Sequence, residues 1–446
     1  MLIGLECFSS QQTFFDRNMV RCLATLARIK GDECVVINFR DPDVFRTLEL
    51  LRSRDDSVVY WGMSFSVKAN FDVFVDREES INLPLFLGRP SIGMIADHPF
   101  YLHKKPRIFD LPMSMYLFGK EYGYGHGLAM LRPGYSRYAS FPVNPWWPMG
   151  FESLGTVCSY GEKDIDLLVQ HGGAGRRVYD FQQKIDEFIR KTPLIKDLAY
   201  SYMDLAVDTY DVYPTVLFSH LFRRLYGYDI NKIMDSSPRD FYKIIFFLSH
   251  LDLFVRGRRR VRFLESLKLE SFPGKVVILS DDDVTKMPEG PNITIMPPTK
   301  NYREYLSLIG RSRMTAYSDP TYPRSVGERV EFALRHGCAV FCERNGALNY
   351  LSNNGFAQDQ GMFLRDDISL DASFRLTQRN GAERTVAGVD FINRFPSMHS
   401  VIYRKMEEIV GEKVLSDGQD VFRTSYSGIT VGVPPERDPY AALEVD

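Results

Sequence analysis

The segment DPTYPRSVGERVEFALRHGCAVFCERN, residues 319–345, places a short amphipathic helix directly before a buried strand. Gly337 follows the helical pattern at once and is suited to the position that ends a helix. The apolar run 339–341 then predicts a strand. The helix itself, predicted over 326–336, is indicated by an apolar stripe at helical spacing: Val326, Val330, Ala333 and Leu334. Helices that lead straight into apolar strands are typical of α/β folds.

The same alternation runs through most of the chain and predicts two α/β domains. Residues 1–150 contain apolar strand candidates separated by helical segments, and a second set begins at Asp164. This pattern favours doubly wound parallel sheets. We expect an N-terminal domain over 1–150, a C-terminal domain over 151–410 and a tail over 411–446 that packs back onto the N-terminal domain or is partly flexible. Residues 193–270 carry long helical patterns without a convincing strand, so they predict a helical insertion in the second domain.

Length and composition bound the possible functions. A chain of 446 residues is too long for one ordinary core, which agrees with two or three domains. The formal net charge of −2 gives no general attraction to nucleic acid or to an anionic membrane. No signal peptide is visible, and the most apolar run, 244–255, is too short to span a bilayer. The six cysteines form no CxxC pair, which favours reduced thiols. We therefore expect a soluble, cytoplasmic protein.

A glycine-rich turn, HGGAGRR, follows the strand IDLLVQ and opens a helix. Ligands of open α/β sheets bind at the carboxyl ends of the strands, and helix N-termini attract anions. The spacing matches neither GxGxxG nor a P-loop, and the alternative is a flexible turn with solvated arginines. The candidate phosphate contacts in this turn are Gly172, Gly173, Gly175, Arg176 and Arg177.

A second candidate anion site lies at the start of the helix in the opening segment. Ser325 and Glu328 are spaced as a capping box, so one interpretation is that they only cap the helix. The functional interpretation is that the loop and the helix N-terminus bind a phosphate or a sugar. The residues concerned are Arg324, Ser325, Glu328 and Arg329.

The segment IADHPF follows an apolar strand of the first domain and supplies candidate bases. A histidine near its reference pKa can deprotonate a hydroxyl group, and a neighbouring carboxylate can orient it or act itself. Asp97 and His98 are therefore candidate catalytic residues, with Asp97 slightly ahead. The alternative is that Asp97 makes an Asx-turn and His98 is a surface residue.

Three further features are weaker. The basic run 256–262 predicts a solvated helix face or a second diphosphate contact rather than a nucleic-acid site, because aromatic residues are not interleaved with it. The glycines of 123–127 predict a mobile loop. The acidic triplet 281–283 could hold a metal, although adjacent carboxylates in a turn are usually solvated.

Taken together, these segments resemble the CgeB-like (spore-maturation type) glycosyltransferases, a group with the two-domain GT-B fold. Four stretches carry the resemblance, in the expected order: IGMIADHPFY, DIDLLVQHGGAGRR, NYREYLSLIGRSRMTAYSD and SVGERVEFALRHGCAVF. They cover about a quarter of the chain. The resemblance implies two Rossmann-like domains facing a cleft, with the second binding a nucleotide-sugar.

One position departs from the GT-B pattern. There, a glutamate five residues before the helix-ending glycine commonly binds the donor ribose, whereas this chain has Phe332. Glu331 does not inherit the role, because a shift of one residue rotates a side chain by about 100° around a helix. Glu328 lies one turn before Phe332, on nearly the same face, and is the candidate carboxylate.

The function implied by the resemblance is transfer of a sugar from a nucleotide-sugar to a hydroxyl group of a glycan, a lipid-linked glycan or a protein, such as a bacterial surface glycan or protein. No metal and no other cofactor are expected, because amides and arginines would stabilise the departing nucleoside diphosphate. A catalytically inactive sugar-nucleotide-binding or scaffold protein and a nucleotide-sugar epimerase are the alternatives.

Overall fold

A computed structural model describes residues 1–6, 14–38, 41–62, 72–74, 80–82, 84, 87–95, 98–100, 115–121, 123–131, 133–141, 158–209, 212–299, 302–318, 324–348, 361–412, 414 and 430–431. The chain forms two units. The first comprises Met1–Gly119, Tyr124–Phe141 and Ser397–Asp446, and the second comprises Lys120–Gly123 and Pro142–Pro396.

The first unit is built on a six-stranded parallel sheet with the order β2-β1-β3-β6-β7-β8. Three of these strands, LIGLE, SVVY and SIGMI, are buried along their whole length, as expected for strands covered on both faces. The strands described between residues 1 and 141 are β1 Leu2–Glu6, β2 Glu33–Ile37, β3 Ser57–Tyr60, β4 Asp72–Phe74, β5 Ser80–Asn82, β6 Ser91–Ile95, β7 Tyr116–Gly119 and β8 Tyr138–Ser140. The helices are α1 Phe14–Lys30, α2 Val44–Ser53 and α3 Gly123–Leu131.

The second unit contains another six-stranded parallel sheet, with the order β11-β10-β9-β12-β13-β14. The chain winds outward from β9 first in one direction and then in the other, which is the Rossmann order. The strands are β9 Ile165–Gln170, β10 Val276–Leu279, β11 Ile293–Met296, β12 Ser312–Tyr317, β13 Ala339–Cys342 and β14 Met362–Leu364. The helices are α4 Ala174–Lys191, α5 Lys196–Asp208, α6 Pro214–Tyr226, α7 Asn231–Ser236, α8 Pro238–Ser266, α9 Tyr302–Arg311, α10 Glu328–Arg335 and α11 Leu370–Asn393. The predicted fold class, α/β with two doubly wound parallel sheets and a helical insertion in the second, is confirmed.

The helical insertion, α5 to α8, packs on the second unit through the contact between α8 and α4. A Cβ atom at Gly257 would lie only 2.8 Å from Val178 Cγ2, so the two helices meet where α8 has no side chain. Arg256 pairs with Asp252 at 2.6 Å, and the buried Arg259 donates to the Ala206 carbonyl oxygen at 3.1 Å. The prediction of a solvated basic face is therefore wrong for these two buried arginines: Arg256 pairs within α8, and Arg259 links α8 to α5.

The last helix among the described residues, α12 (Met398–Ile409), packs in the first unit and not in the second. Its Tyr403 hydroxyl donates to Asp32, and Glu407 lies 3.5 Å from Lys30 on α1. The segment that belongs to the first unit thus begins at Ser397, whereas the sequence predicts the tail from about 411. Strand β15, Thr430–Val431, pairs antiparallel with β4, which pairs with β5.

Candidate functional site

A cavity of about 150 Å³ lies at the carboxyl edge of the second sheet. Gln170 and Leu279 are the last residues of β9 and β10, and Thr299 follows β11. Ligands of doubly wound sheets bind at this edge. The lining residues are Gln170, Gly172, Leu279, Pro298, Thr299, Tyr305 and Arg329.

One wall of the cavity is fixed by a chain of hydrogen bonds. The Tyr305 hydroxyl donates to Gln170 Oε1 at 2.7 Å, and Gln170 Nε2 donates to Thr315 Oγ1 at 3.2 Å. The Thr315 hydroxyl donates in turn to the Leu168 carbonyl oxygen at 3.0 Å. Both ends of the Gln170 amide are thereby oriented, so a ligand that binds here meets a wall that is already ordered.

Arg329 gives the cavity its positive charge. Its guanidinium carbon lies 5.0 Å from the centre of the Tyr317 ring, within the range of a cation–π contact. Gly172 also lines the cavity and has a φ of +64°, which favours glycine. Two of the residues predicted for phosphate binding, Gly172 and Arg329, therefore lie at one cavity.

The rest of the glycine-rich turn is occupied by a carboxylate of the protein itself. Asp282 accepts the backbone N–H groups of Gly175 and Arg176 at the first turn of α4, the latter at 3.2 Å. It also accepts from the Thr285 hydroxyl at 2.9 Å and from the backbone N–H of Val284 at 3.0 Å. The anion at this helix N-terminus is thus Asp282, and the middle member of the acidic triplet is not solvated.

The low pKa of Asp282 agrees with a carboxylate that stays charged at this helix N-terminus. Burial alone would raise the pKa of Asp282, but the N–H groups of Val284, Gly175 and Thr285 outweigh it and hold the pKa at about 2. His171 Nε2 lies 3.1 Å from Asp282 Oδ2, and burial lowers the pKa of His171. At neutral pH the imidazole is therefore neutral and donates its Nε2–H to the carboxylate.

The glycines of the turn are explained by this cap. A Cβ atom at Gly175 would lie 1.9 Å from Thr285 Oγ1, and one at Gly173 would lie 3.0 Å from Asp281 Oδ1. Arg176 is exposed and pairs with Asp283 at 3.3 Å, while Arg177 is exposed on the same turn. None of these four residues lines the described cavity.

The loop before α10 differs from the predicted capping box. The helix begins at Glu328 with Gly327 as its N-cap, and no side chain caps it. Ser325 is fully buried, and its hydroxyl donates to Glu121 Oε2 at 3.1 Å. The predicted N-cap role of Ser325 is therefore wrong, because Glu121 takes up its hydroxyl. Arg324 is exposed, and residues 319–323 of this loop lie outside the described residues.

The C-terminus of α10 confirms the prediction for Gly337. This residue has a φ of +63°, its N–H donates to the Leu334 carbonyl oxygen at 3.1 Å, and Cys338 N donates to the Ala333 carbonyl oxygen at 2.8 Å. The pair of bonds is a Schellman motif, which only a glycine accommodates without strain. Strand β13 then starts two residues later.

Phe332, Glu331 and Glu328, the residues compared as contacts to a donor ribose, differ in their surroundings. Phe332 is buried in the core, and Glu331 is 1% exposed between Lys120 at 3.7 Å and Arg335 at 3.2 Å. Glu331 therefore forms part of a buried ion-pair cluster. Glu328 is half-buried in the first turn of α10, next to Arg329 of the cavity.

Sequence reasoning missed a polar pair at the carboxyl ends of β12 and β13. The Ser318 hydroxyl donates to the carboxylate of Glu343, which is 6% exposed and lies 3.6 Å from Arg365. Burial raises the pKa of Glu343. The signal was present, because each residue directly follows an apolar strand run. It also missed Gln170, the polar residue that ends the strand IDLLVQ, and Tyr305.

In the first unit, Asp97 lies outside the described residues, and His98 is 1% exposed. The His98 ring lies 3.9 Å from the Phe100 ring and 5.2 Å from the Tyr124 ring, measured between centroids. A Cβ atom at Gly127 would come within 2.7 Å of His98 Cε1. His98 is therefore packed inside the first unit, and the interpretation as a surface residue is wrong.

The glycines at 123–127 belong to helix α3, so the prediction of a mobile loop there is also wrong. Each of the three admits an aromatic ring: a Cβ atom at Gly123, Gly125 or Gly127 would meet Tyr213, Tyr138 or His98 respectively. The alternating glycines allow aromatic rings to pack against the backbone of α3, and their spacing in the sequence did not predict this contact.

Within the described part of the chain, no three His, Cys, Asp or Glu side chains are grouped so that they could hold a metal ion. Over the same residues, no helix combines the length and the apolar character needed to cross a bilayer.

Comparison with known proteins gives structural neighbours only. The chain matches no protein-family model, and no curated protein sequence is significantly similar to it. It is similar to an alpha-glucosyltransferase (AGT) in complex with UDP, at 10% identity and a TM-score of 0.49 over 92% of this chain and 99% of the other. It is similar to the spinosyn rhamnosyltransferase SpnG complexed with spinosyn aglycone, at 10% identity and a TM-score of 0.34 over 91% and 99%.

A third neighbour is the glycosyltransferase SnogD from Streptomyces nogalater, at 10% identity and a TM-score of 0.35 over 92% of this chain and 99% of the other. All three neighbours are glycosyltransferases.

Proposed function

We propose that this protein is a glycosyltransferase that takes its sugar from a nucleotide-sugar donor bound at the cavity of the second unit. The observation that carries the proposal is the pairing, at the carboxyl edge of a Rossmann-ordered sheet, of the ordered Gln170–Tyr305 wall with the Arg329 guanidinium. Ordered polar groups suit a nucleoside, and a guanidinium suits a diphosphate. The resemblance of four sequence segments to the CgeB-like group supports the same function.

Arg329, which lines the cavity in the first turn of α10, and Arg324, on the loop before α10, are the proposed diphosphate contacts. Gly327 caps this helix without a side-chain acceptor, so the positive end of the helix is not neutralised by a cap side chain. The first turn of α4, in contrast, already binds the Asp282 carboxylate. We therefore assign the phosphate role to the α10 side of the site and retain only Gly172 from the glycine-rich turn. Glu328 is the proposed contact to the ribose.

In the proposed reaction, the bond between the sugar C1 and the diphosphate oxygen breaks, and C1 forms a bond to a hydroxyl oxygen of a glycan, lipid-linked or protein acceptor. The arginines stabilise the negative charge of the departing nucleoside diphosphate, so no metal is needed for this purpose. An inverting reaction also requires a base for the hydroxyl proton. Because His98 is 1% exposed, Asp97 is the better candidate base. A retaining reaction would not require it.

A protein that binds the nucleotide-sugar without transferring the sugar is the second candidate. Two observations favour it: His98 is packed among aromatic rings, and Phe332 occupies the position where the GT-B pattern has a carboxylate. Substrate turnover separates the two candidates, and a product assay without an acceptor would detect an epimerase.

The first test is thermal stabilisation by UDP, TDP, CDP, GDP and ADP and by their common sugar derivatives, with EDTA present. A ligand at 100 times its dissociation constant stabilises the folded state by about 2.7 kcal/mol. We expect one base to stabilise selectively, and we expect Arg329→Ala to remove most of this effect. Arg375→Ala, on the exposed face of α11, is the matched control. Absence of stabilisation by every nucleotide at millimolar concentration would refute the proposal.

A further inference from the structure

Among the described residues of the helical insertion, Tyr213 contacts the loop before α10. This residue is the N-cap of α6 and is 6% exposed. The guanidinium carbon of Arg324 lies 5.2 Å from the centre of its ring. On another side the ring covers Gly123 so closely that a Cβ atom there would lie 1.9 Å from Tyr213 Cδ1. Tyr213 is thus held by Gly123 and in turn limits where the Arg324 side chain can lie.

The backbone of the same loop is held by Glu121, which is fully buried. Its Oε2 atom accepts the backbone N–H of Arg324 at 2.9 Å and the Ser325 hydroxyl at 3.1 Å. The Ser325 carbonyl oxygen accepts from Asn345 Nδ2 at 3.0 Å. Residues 324 and 325 are therefore fixed by buried polar partners although the Arg324 side chain is exposed.

Glu121 and Tyr213 also influence each other. Burial raises the pKa of Glu121, and the Arg324 N–H partly offsets this rise. Burial and the neighbouring Glu121 carboxylate raise the pKa of Tyr213, so its hydroxyl is protonated throughout the physiological range. Tyr213 can therefore act as a neutral hydrogen-bond donor and as a flat support for a cation.

An exposed arginine loses rotamer freedom when a ligand fixes it, and this loss weakens binding. Support that restricts the side chain before binding removes part of this cost and strengthens binding. We infer that Tyr213 and Glu121 are positioning residues of the donor site, which hold Arg324 so that its guanidinium meets the diphosphate. This inference rests on the proposed function. It gives the helical insertion a role in donor binding, because Tyr213 belongs to that insertion.

The test is a double-mutant cycle on nucleotide affinity. The probe is the nucleoside diphosphate that stabilises the wild type, with UDP and TDP tried first, titrated by calorimetry into the full-length protein. We expect Tyr213→Leu to weaken binding by about two- to fivefold, which is the contribution of a cation–π contact at an exposed site. We expect Tyr213→Leu/Arg324→Ala to bind no more weakly than Arg324→Ala alone, because Tyr213 acts through Arg324.

A second pair of variants changes Glu121, which holds the backbone of Arg324, and leaves the Tyr213 side chain unmutated. Glu121→Gln keeps an oxygen that accepts both hydrogen bonds and should bind within about twofold of the wild type, whereas Glu121→Ala leaves the Arg324 N–H and the Ser325 hydroxyl without this partner and should bind several-fold more weakly. Tyr200→Leu, an exposed tyrosine on α5, is the control and should be unchanged. If Tyr213→Leu does not fold, this Glu121 pair decides the question.

Each outcome is decisive. Non-additive losses and rescue by Glu121→Gln would support the positioning role. Additive losses, or weakening confined to Arg324→Ala while Tyr213→Leu and Glu121→Ala bind as the wild type does, would overturn the inference and leave the proposed function standing. Failure of the wild type to bind any nucleoside diphosphate would overturn both.

Discussion

The Asp282 carboxylate accepts the backbone N–H of Arg176 at 3.2 Å, at the helix N-terminus where the sequence predicts a phosphate. A phosphate and a carboxylate are both attracted to this position, because the positive end of a helix attracts an anion. Here a carboxylate from the loop after β10 fills the position, and its low pKa shows that it stays charged. The diphosphate of the proposed donor would therefore meet its positive charge elsewhere, and Arg329 and Arg324 are the proposed contacts.

Asp282→Ala should destabilise the protein by about 2 kcal/mol or more, because a buried charge-assisted cap is lost and several donors lose their acceptor. The folded-state pKa of about 2 lies below the ordinary value of 3.8, so the stabilisation is complete above about pH 4 and is lost as the pH falls through 2. The measurement is urea unfolding of the wild type and the variant from pH 7 to pH 2.5, over which their difference should shrink.

Asp283→Asn is the matched control for this experiment. Asp283 is adjacent in sequence but exposed, and its partner Arg176 is exposed as well. Its replacement should change the free energy of unfolding by less than about 0.5 kcal/mol. Equal effects at 282 and 283 would contradict the capping role.

Gly175→Ala should be destabilising by more than about 2 kcal/mol, since its Cβ atom would lie 1.9 Å from Thr285 Oγ1 and 2.6 Å from Asp282 Oδ2. Gly161→Ala is the control, because nothing lies within 4 Å of a Cβ atom there. Denaturant midpoints measure the effect. We expect the folded fraction of Gly175→Ala to bind nucleotide as the wild type does, which a glycine required for phosphate approach would not allow.

Local patterns were sufficient to predict the fold class, because the apolar runs that indicate strands and the glycines that end helices lie within a few residues of each other. The apolar run 339–341 and the Gly337 stop predicted β13 and the end of α10, and the structure confirms both. The order of the strands within each sheet could not be read in this way, since pairing between β9 and β12 joins residues about 150 positions apart.

The candidate site was harder to predict, because its residues contact partners that are far away in the sequence. Ser325 was assigned to the helix that follows it, but its partner is Glu121, 204 residues away. The glycines at 175 and 127 were read as signs of mobility or phosphate approach, whereas each makes room for a side chain from a distant segment. Spacing identifies a residue that is unusual, and only the tertiary neighbours show what it is for.

Replacement of His98 should affect stability more than chemistry. His98→Ala would leave a cavity among Phe100, Tyr124 and α3, with an expected cost of about 2–4 kcal/mol. Gly127→Ala should also destabilise, because of its contact with His98 Cε1 at 2.7 Å. In the double variant the two changes should compensate by at least about 1 kcal/mol, as measured by chemical denaturation. Strict additivity, or loss of turnover in a fully folded His98→Ala protein, would contradict this assignment.

The buried pair Lys120–Glu331 yields the last prediction. Both side chains are 1% exposed, with Nζ and Oε2 3.7 Å apart, and Arg335 approaches Glu331 at 3.2 Å. Glu331→Leu would leave two cations facing an apolar side chain, at a cost of about 3–5 kcal/mol. The double variant Lys120→Met/Glu331→Leu should be more stable than Glu331→Leu. It removes the buried Lys120 charge, so that only Arg335 has lost its Glu331 partner, and the Arg335 side chain is nearer to solvent. The exposed pair Lys191–Glu187 is the control, and Glu187→Leu should cost less than about 1 kcal/mol. If Glu331→Leu were tolerated and nucleotide binding were lost, Glu331 would belong to the donor site after all.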